Sequence, residues 1–241
     1  MRLALSSYRA VLAILAMLSC ARTAEAASRY SPTAQPEKVR LLGKPYVAQG
    51  LGSAHFGMTP DQVREAASRD FGVPPGKLTS GAADASTFTL AMEVSSLPPV
   101  GRTGLVSYVF DASTKTLNAI NMVWVAERPE GKDVLIRGAT AAAANFLGYS
   151  WKLFSAARGV PLDPSTLIVF AATAENGGGV EVRLQGVPYE LQSDGATPKL
   201  VGDSEGQGRL RIGLVQHTQA PDIRTLIQQR TATAAPQDTA K

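Results

Sequence analysis

Cysteine occurs once in the 241 residues, histidine twice, and aromatic side chains make up only 6% of the chain. A single cysteine excludes a disulfide framework, and two histidines without H-x-x-x-H spacing exclude the usual zinc sites. Neither a G-x-S-x-G elbow nor an S-x-x-K motif is present, so the common serine nucleophiles have no frame. No stretch reaches 18 uninterrupted apolar residues, the length a membrane-spanning helix needs. Charge of one sign is also scarce. Lys plus Arg number 24 against 20 Asp plus Glu, a net +4, too weak and too scattered to point to nucleic acid. What remains, 44% hydrophobic and 18% charged residues, is the composition of an ordinary globular chain.

The first 26 residues read as an address. Arg2 and Arg9 form a positive n-region, Ala10 to Leu18 is an apolar run, and Ala24-Glu25-Ala26 is a small-x-small cleavage site. Nine apolar residues make a helix of about 14 Å against roughly 30 Å of bilayer core, so the segment predicts a cleaved signal peptide rather than an anchor. Cys20 stands where a lipoprotein would be acylated, but Met17-Leu18-Ser19 fits a lipoprotein box poorly, which leaves lipid anchoring as the minor reading. Cleavage after Ala26 removes the cysteine together with three Arg and one Glu. It leaves a thiol-free chain with 21 basic and 19 acidic side chains, predicted to be periplasmic or secreted.

Along the remaining chain, 27–54 is polar and Pro-interrupted and predicts a partly ordered linker with one short extended stretch, Pro45 to Ala48. Thr59-Pro60-Asp61-Gln62 supplies an N-cap, a first-turn proline and a capping-box Gln, with Val63, Ala66, Ala67 and Phe71 following at helical spacing and Gly72 as the stop. Strands are predicted over Thr87–Val94, where apolar and polar residues alternate, then Leu105–Phe110 and Leu117–Val125. Asp133–Leu147 repeats the helical pattern, followed by strands at Thr166–Thr173, Val180–Val187 across an Asn176-Gly177 hairpin turn, and Arg209–Gln216. The predicted fold is α+β: two tandem modules, 55–127 and 128–217, each a helix on a three-stranded antiparallel sheet. Pro221 to Arg230 suggests a short C-terminal helix within 218–230, and 231–241 a disordered tail.

Other motifs dissolve on inspection. Gly72-Val-Pro-Pro-Gly76-Lys77 has three residues between its glycines where a phosphate loop needs four, and Leu78 follows where Ser or Thr should bind magnesium. Asp203-Ser-Glu205-Gly206 has its glycine too early for a calcium loop and Leu214 in place of the bidentate Glu. No motif calls for a cofactor or a metal. The candidate binding residues are Arg183, Arg209 and Arg211, whose alternation on two late strands predicts a shared face opposite the core. Tyr149 and Trp151 join them at a helix exit, where Trp151 is either core or an exposed contact anchor.

His55-Phe-Gly-Met-Thr-Pro-Asp-Gln-Val63, followed by a hairpin containing Tyr108-Val-Phe110, resembles the opening of the SmpA/OmlA outer-membrane lipoprotein modules. In those modules a Gly-Met-Thr turn caps a helix lying on a three-stranded sheet; the tandem-module β-lactamase inhibitor proteins have a related architecture. The resemblance implies non-catalytic envelope binding or assembly and transfers no functional residue. The expectation is therefore an exported bacterial protein that binds a protein or cell-envelope component. The alternative is a cofactor-free enzyme or small-ligand carrier with a helix–sheet pocket, using His55 or His217 as base.

Overall fold

The Thr59 capping chemistry starts helix α1, Pro60–Phe71, in the computed structural model, which describes residues 43–82, 86–153, 155–202 and 206–217. The Thr59 N–H donates to Gln62 Oε1 at 2.9 Å and the Gln62 N–H donates back to Thr59 Oγ1 at 3.5 Å. Gly72, at φ 65°, ends the helix in the left-handed conformation that an L side chain resists. Helix α2, Pro129–Leu147, begins a turn earlier than its apolar periodicity suggests, because Pro129 is tolerated in a first turn where its missing N–H costs nothing. The signal-peptide, C-terminal-helix and tail readings fall on 1–26, 218–230 and 231–241, outside the described residues.

The strands are β1 (Gly50–Leu51), β2 (Ala54–His55), β3 (Thr79–Ala82), β4 (Thr87–Leu97), β5 (Arg102–Asp111) and β6 (Leu117–Ala126), then β7 (Ala157–Asp163), β8 (Thr166–Thr173), β9 (Gly179–Gln185), β10 (Tyr189–Leu191), β11 (Pro198–Leu200) and β12 (Gly208–Val215). Eight of them form one antiparallel sheet in the order β3-β4-β5-β6-β12-β9-β8-β7. The expected pair of helix-plus-three-strand modules is therefore wrong, and the fold is mostly β, one large sheet with two helices and two small hairpins. The physical reason lies in β12. Predicted as the last strand of a separate module, it pairs with β6 on one side, Gly208 opposite Ala126 through Val215 opposite Ala119, and with β9 on the other. Two backbone edges that separate modules would leave unpaired are satisfied against each other.

Both helices pack on one face. Val63, Ala66 and Ala67 of α1 and Leu135, Ile136, Ala139, Ala142 and Ala143 of α2 share a core with Leu90, Tyr108, Phe110, Trp124, Phe170 and Leu210 from the sheet. Gly138 lets α2 approach closely, since a Cβ there would lie 2.6 Å from Val100 Cγ2. The linker segment that the structure describes is ordered: Pro45 bridges Ser150, and the Tyr46 N–H donates to the Ser150 carbonyl at 3.0 Å.

Two turns depend on ionised aspartates. Asp111 Oδ1 accepts from Ser113 Oγ and from the N–H groups of Ser113 and Thr114 at 2.8 Å, and Asp194 accepts from the Thr197 hydroxyl and from the Ala196 and Thr197 N–H groups. The Ser113 hydroxyl bond first holds the Asp111 carboxyl down to about 2, and the Thr197 hydroxyl does the same for Asp194, against an ordinary 3.8. Lowered folded-state values mean that this stabilisation is complete above the ordinary carboxylate range and is lost as pH falls through about 2. Thermal melts between those limits should show an Asp111→Asn/Asp194→Asn variant to be less acid-sensitive than the parent. An unchanged acid slope would remove these carboxylates from the account.

Candidate functional site

The aromatic residues at the exit of α2 lie inside the molecule. Trp151 is only 8% exposed, its ring stacks on Tyr46 at 4.4 Å between centroids, and its indole N–H donates to the Phe146 carbonyl at 3.0 Å. Phe146 stacks on Phe170 at 5.9 Å, and Tyr149 meets Tyr46 edge to face at 5.3 Å. A tryptophan whose ring meets three other aromatic rings and whose N–H is bonded is an anchor for the fold, so Trp151 takes the core alternative. Tyr149 is half-buried beside it. Burial, with the nearby Tyr149 second, raises the Tyr46 hydroxyl above its ordinary value.

The arginines lie elsewhere, on the sheet face turned away from the helices. Residues directly opposite in neighbouring strands share a face, and the register places Glu93, Leu105, Val123, Arg211 and Arg183 in one transverse row. The next row contains Ser107, Asn121, Gly213 and Glu181, and at the rim Val125 pairs with Arg209. Among the described residues no helix packs on this face. Leu105 is 41% and Val125 47% exposed.

Arg211 and Arg183 are directly opposed, an arrangement that like charge disfavours, and Glu181 resolves it. Arg183 Nη2 donates to Glu181 Oε2 at 2.8 Å, Arg211 Nη1 to Glu181 Oε1 at 3.3 Å, and Arg211 Nε to Asn121 Oδ1 at 2.9 Å. The Arg211 guanidinium reaches two neighbouring strands because Gly213 leaves the floor open; a Cβ there would lie 3.3 Å from Arg211 Nη2. Burial lowers the Arg211 pKa from its ordinary value, Glu181 acts in the opposite sense, and Arg183 adds to the lowering. Arg209 makes no ion pair or side-chain hydrogen bond with the described residues. Three arginines thus face a single glutamate across β9 and β12.

Alternation in the sequence puts the three arginines on one phase but does not reveal Asn121 and Gly213 as their partners. Both stand on the outward phase of β6 and β12, a signal visible only once those strands are known to be neighbours. The two histidines are also brought together. His55, Gln49, Phe56, Asn176, Gln216 and His217 line an open cavity of about 470 Å³ at the end of the sheet. It is formed by loops and strand ends, not between helix and sheet. No cluster of three or more His, Cys, Asp or Glu able to hold a metal occurs among the described residues, and no described helix is long and apolar enough to cross a membrane. No family model, curated protein or solved structure matches the chain.

Proposed function

We propose that this is an exported, periplasmic binding protein without catalytic activity, and that the open sheet face is the surface that holds its partner, a protein or envelope component carrying acidic groups beside apolar ones. The observation that carries this reading is the uncovered face itself. Exposed Leu105 and Val125 share this face with Arg209, Arg211 and Arg183, three arginines against Glu181 and Glu93. Arginine beside aliphatic contact area is the composition of a protein-binding surface, and the excess positive charge selects an acidic partner. The N-terminal leader supports export.

Leu105→Thr/Val125→Thr should leave the melting temperature near that of the parent, because both side chains already meet water and threonine keeps the strand preference. The same variant should weaken partner capture by at least about tenfold. A photo-crosslinking residue at position 125, compared with one at Arg137 on α2, identifies the face in contact. Adducts formed only from Arg137, or equal capture by the double variant, would overturn the assignment.

A further inference from the structure

The cavity at the sheet end goes beyond the binding-face reading. Its walls come from segments remote in sequence that backbone and side-chain hydrogen bonds fix in place. The Phe56 N–H donates to the Gln49 carbonyl at 2.9 Å, the Gln216 N–H to the Asn118 carbonyl at 2.9 Å, and Asn176 Nδ2 to the Ala48 carbonyl at 3.3 Å. Gly178 permits the closest approach, since a Cβ there would overlap Ala48. The cavity is therefore preformed and falls within the size range of small-molecule sites.

The lining is chemically narrow. Among the described residues no carboxylate, lysine or arginine contributes to it. The side chains of Gln49, Gln216, His55 and His217 make no hydrogen bond with the described residues. Carboxamides and imidazoles each combine donor and acceptor capacity, and Phe56 adds a ring. A multiply charged ligand would lose hydration here without meeting a fixed counter-charge, and a wholly apolar one would leave the amides unpaired. Hydroxyl groups, which donate and accept alike, match the amides, and a sugar ring's C–H face matches Phe56.

We propose that this cavity is a binding site for a neutral saccharide, held by Gln49, Gln216, His55 and His217 against Phe56. The test titrates the isotope-labelled full-length protein separately with maltose, diacetylchitobiose, inorganic phosphate and Zn²⁺, following side-chain amide and imidazole NMR signals. At least one disaccharide should shift the Gln49 and Gln216 amides saturably, and Gln49→Ala/Gln216→Ala should weaken that binding at least about tenfold. Asp133→Asn, in the groove beside α2, should leave it unchanged. If the double variant melts early, His55→Ala, at an exposed position, carries the same comparison. The absence of a saturable shift with either disaccharide, undiminished binding in the variant, or a response only to phosphate or Zn²⁺ overturns the proposal.

Discussion

Replacing Trp151 by alanine should cost about 3–5 kcal/mol of folding stability, the range for removing a large aromatic from a packed core. For a chain of this size that corresponds to a fall of roughly 6–20 °C in melting temperature. The side chain stacks on Tyr46, tilts against Phe170 at 5.5 Å and meets Phe146 at 6.2 Å, so its loss leaves three rings without a common neighbour. It also leaves the Phe146 carbonyl without the indole donor. Because Tyr46 belongs to the segment tied to Ser150, the damage extends from the end of α2 to the strap preceding β1. Denaturant or thermal unfolding checks the magnitude. A variant that melts with the parent yet loses partner binding would instead make Trp151 a contact residue.

Gly104→Val and Gly81→Val should have opposite outcomes, although each puts the same side chain on a strand glycine. At Gly104, on the core face of β5, a Cβ would lie 2.7 Å from Trp124 Nε1 and 3.0 Å from Leu97 Cδ2. Trp124 and Leu97 are both fully buried and cannot swing away. Overpacking there should cost about 2–3 kcal/mol, more than the strand preference of valine returns. At Gly81, on edge strand β3, the nearest atom to a Cβ is Thr89 Oγ1 at 3.5 Å, an ordinary contact. Gly81→Val should therefore be neutral or stabilising by up to about 1 kcal/mol through restricted unfolded-state freedom and β propensity. Equal melting temperatures for the two variants would refute the tight Gly104–Trp124 contact.

Several elements were legible because their signals are local. Thr59 and Gly72 bracket α1 as their capping chemistry predicts, and the strand expected at Thr166–Thr173 matches β8. Edge strands β3 and β7 were not legible. Thr79-Ser-Gly-Ala82 has no large apolar residue, and Gly159 and Pro161 make β7 read as a loop, yet an edge strand tolerates proline because one side of its backbone needs no ladder. The candidate binding face was half legible. The phase of Arg183, Arg209 and Arg211 could be read from alternation, but the Asn121, Glu181 and Gly213 contacts that hold Arg211 come from three strands. The same limit applied to His55 and His217, which share a cavity only because the chain just after β2 and just after β12 both bond to the start of β6, Gly57 to the Leu117 carbonyl and Gln216 to the Asn118 carbonyl.

The amino-acid sequence by itself determined where α1 begins and where both helices stop, which residues alternate, and which catalytic chemistries lack their groups. Tertiary structure decided that β6 and β12 zip together into one eight-stranded sheet, that Trp151 is core, and that the arginines lie beside exposed Leu105 and Val125. Caps and periodicities act through neighbouring side chains, so they are written in the order of residues. Strand pairing acts through N–H and C=O groups that are the same in nearly every residue. Which edges meet is therefore settled only when the whole chain buries its apolar faces and satisfies its backbone together.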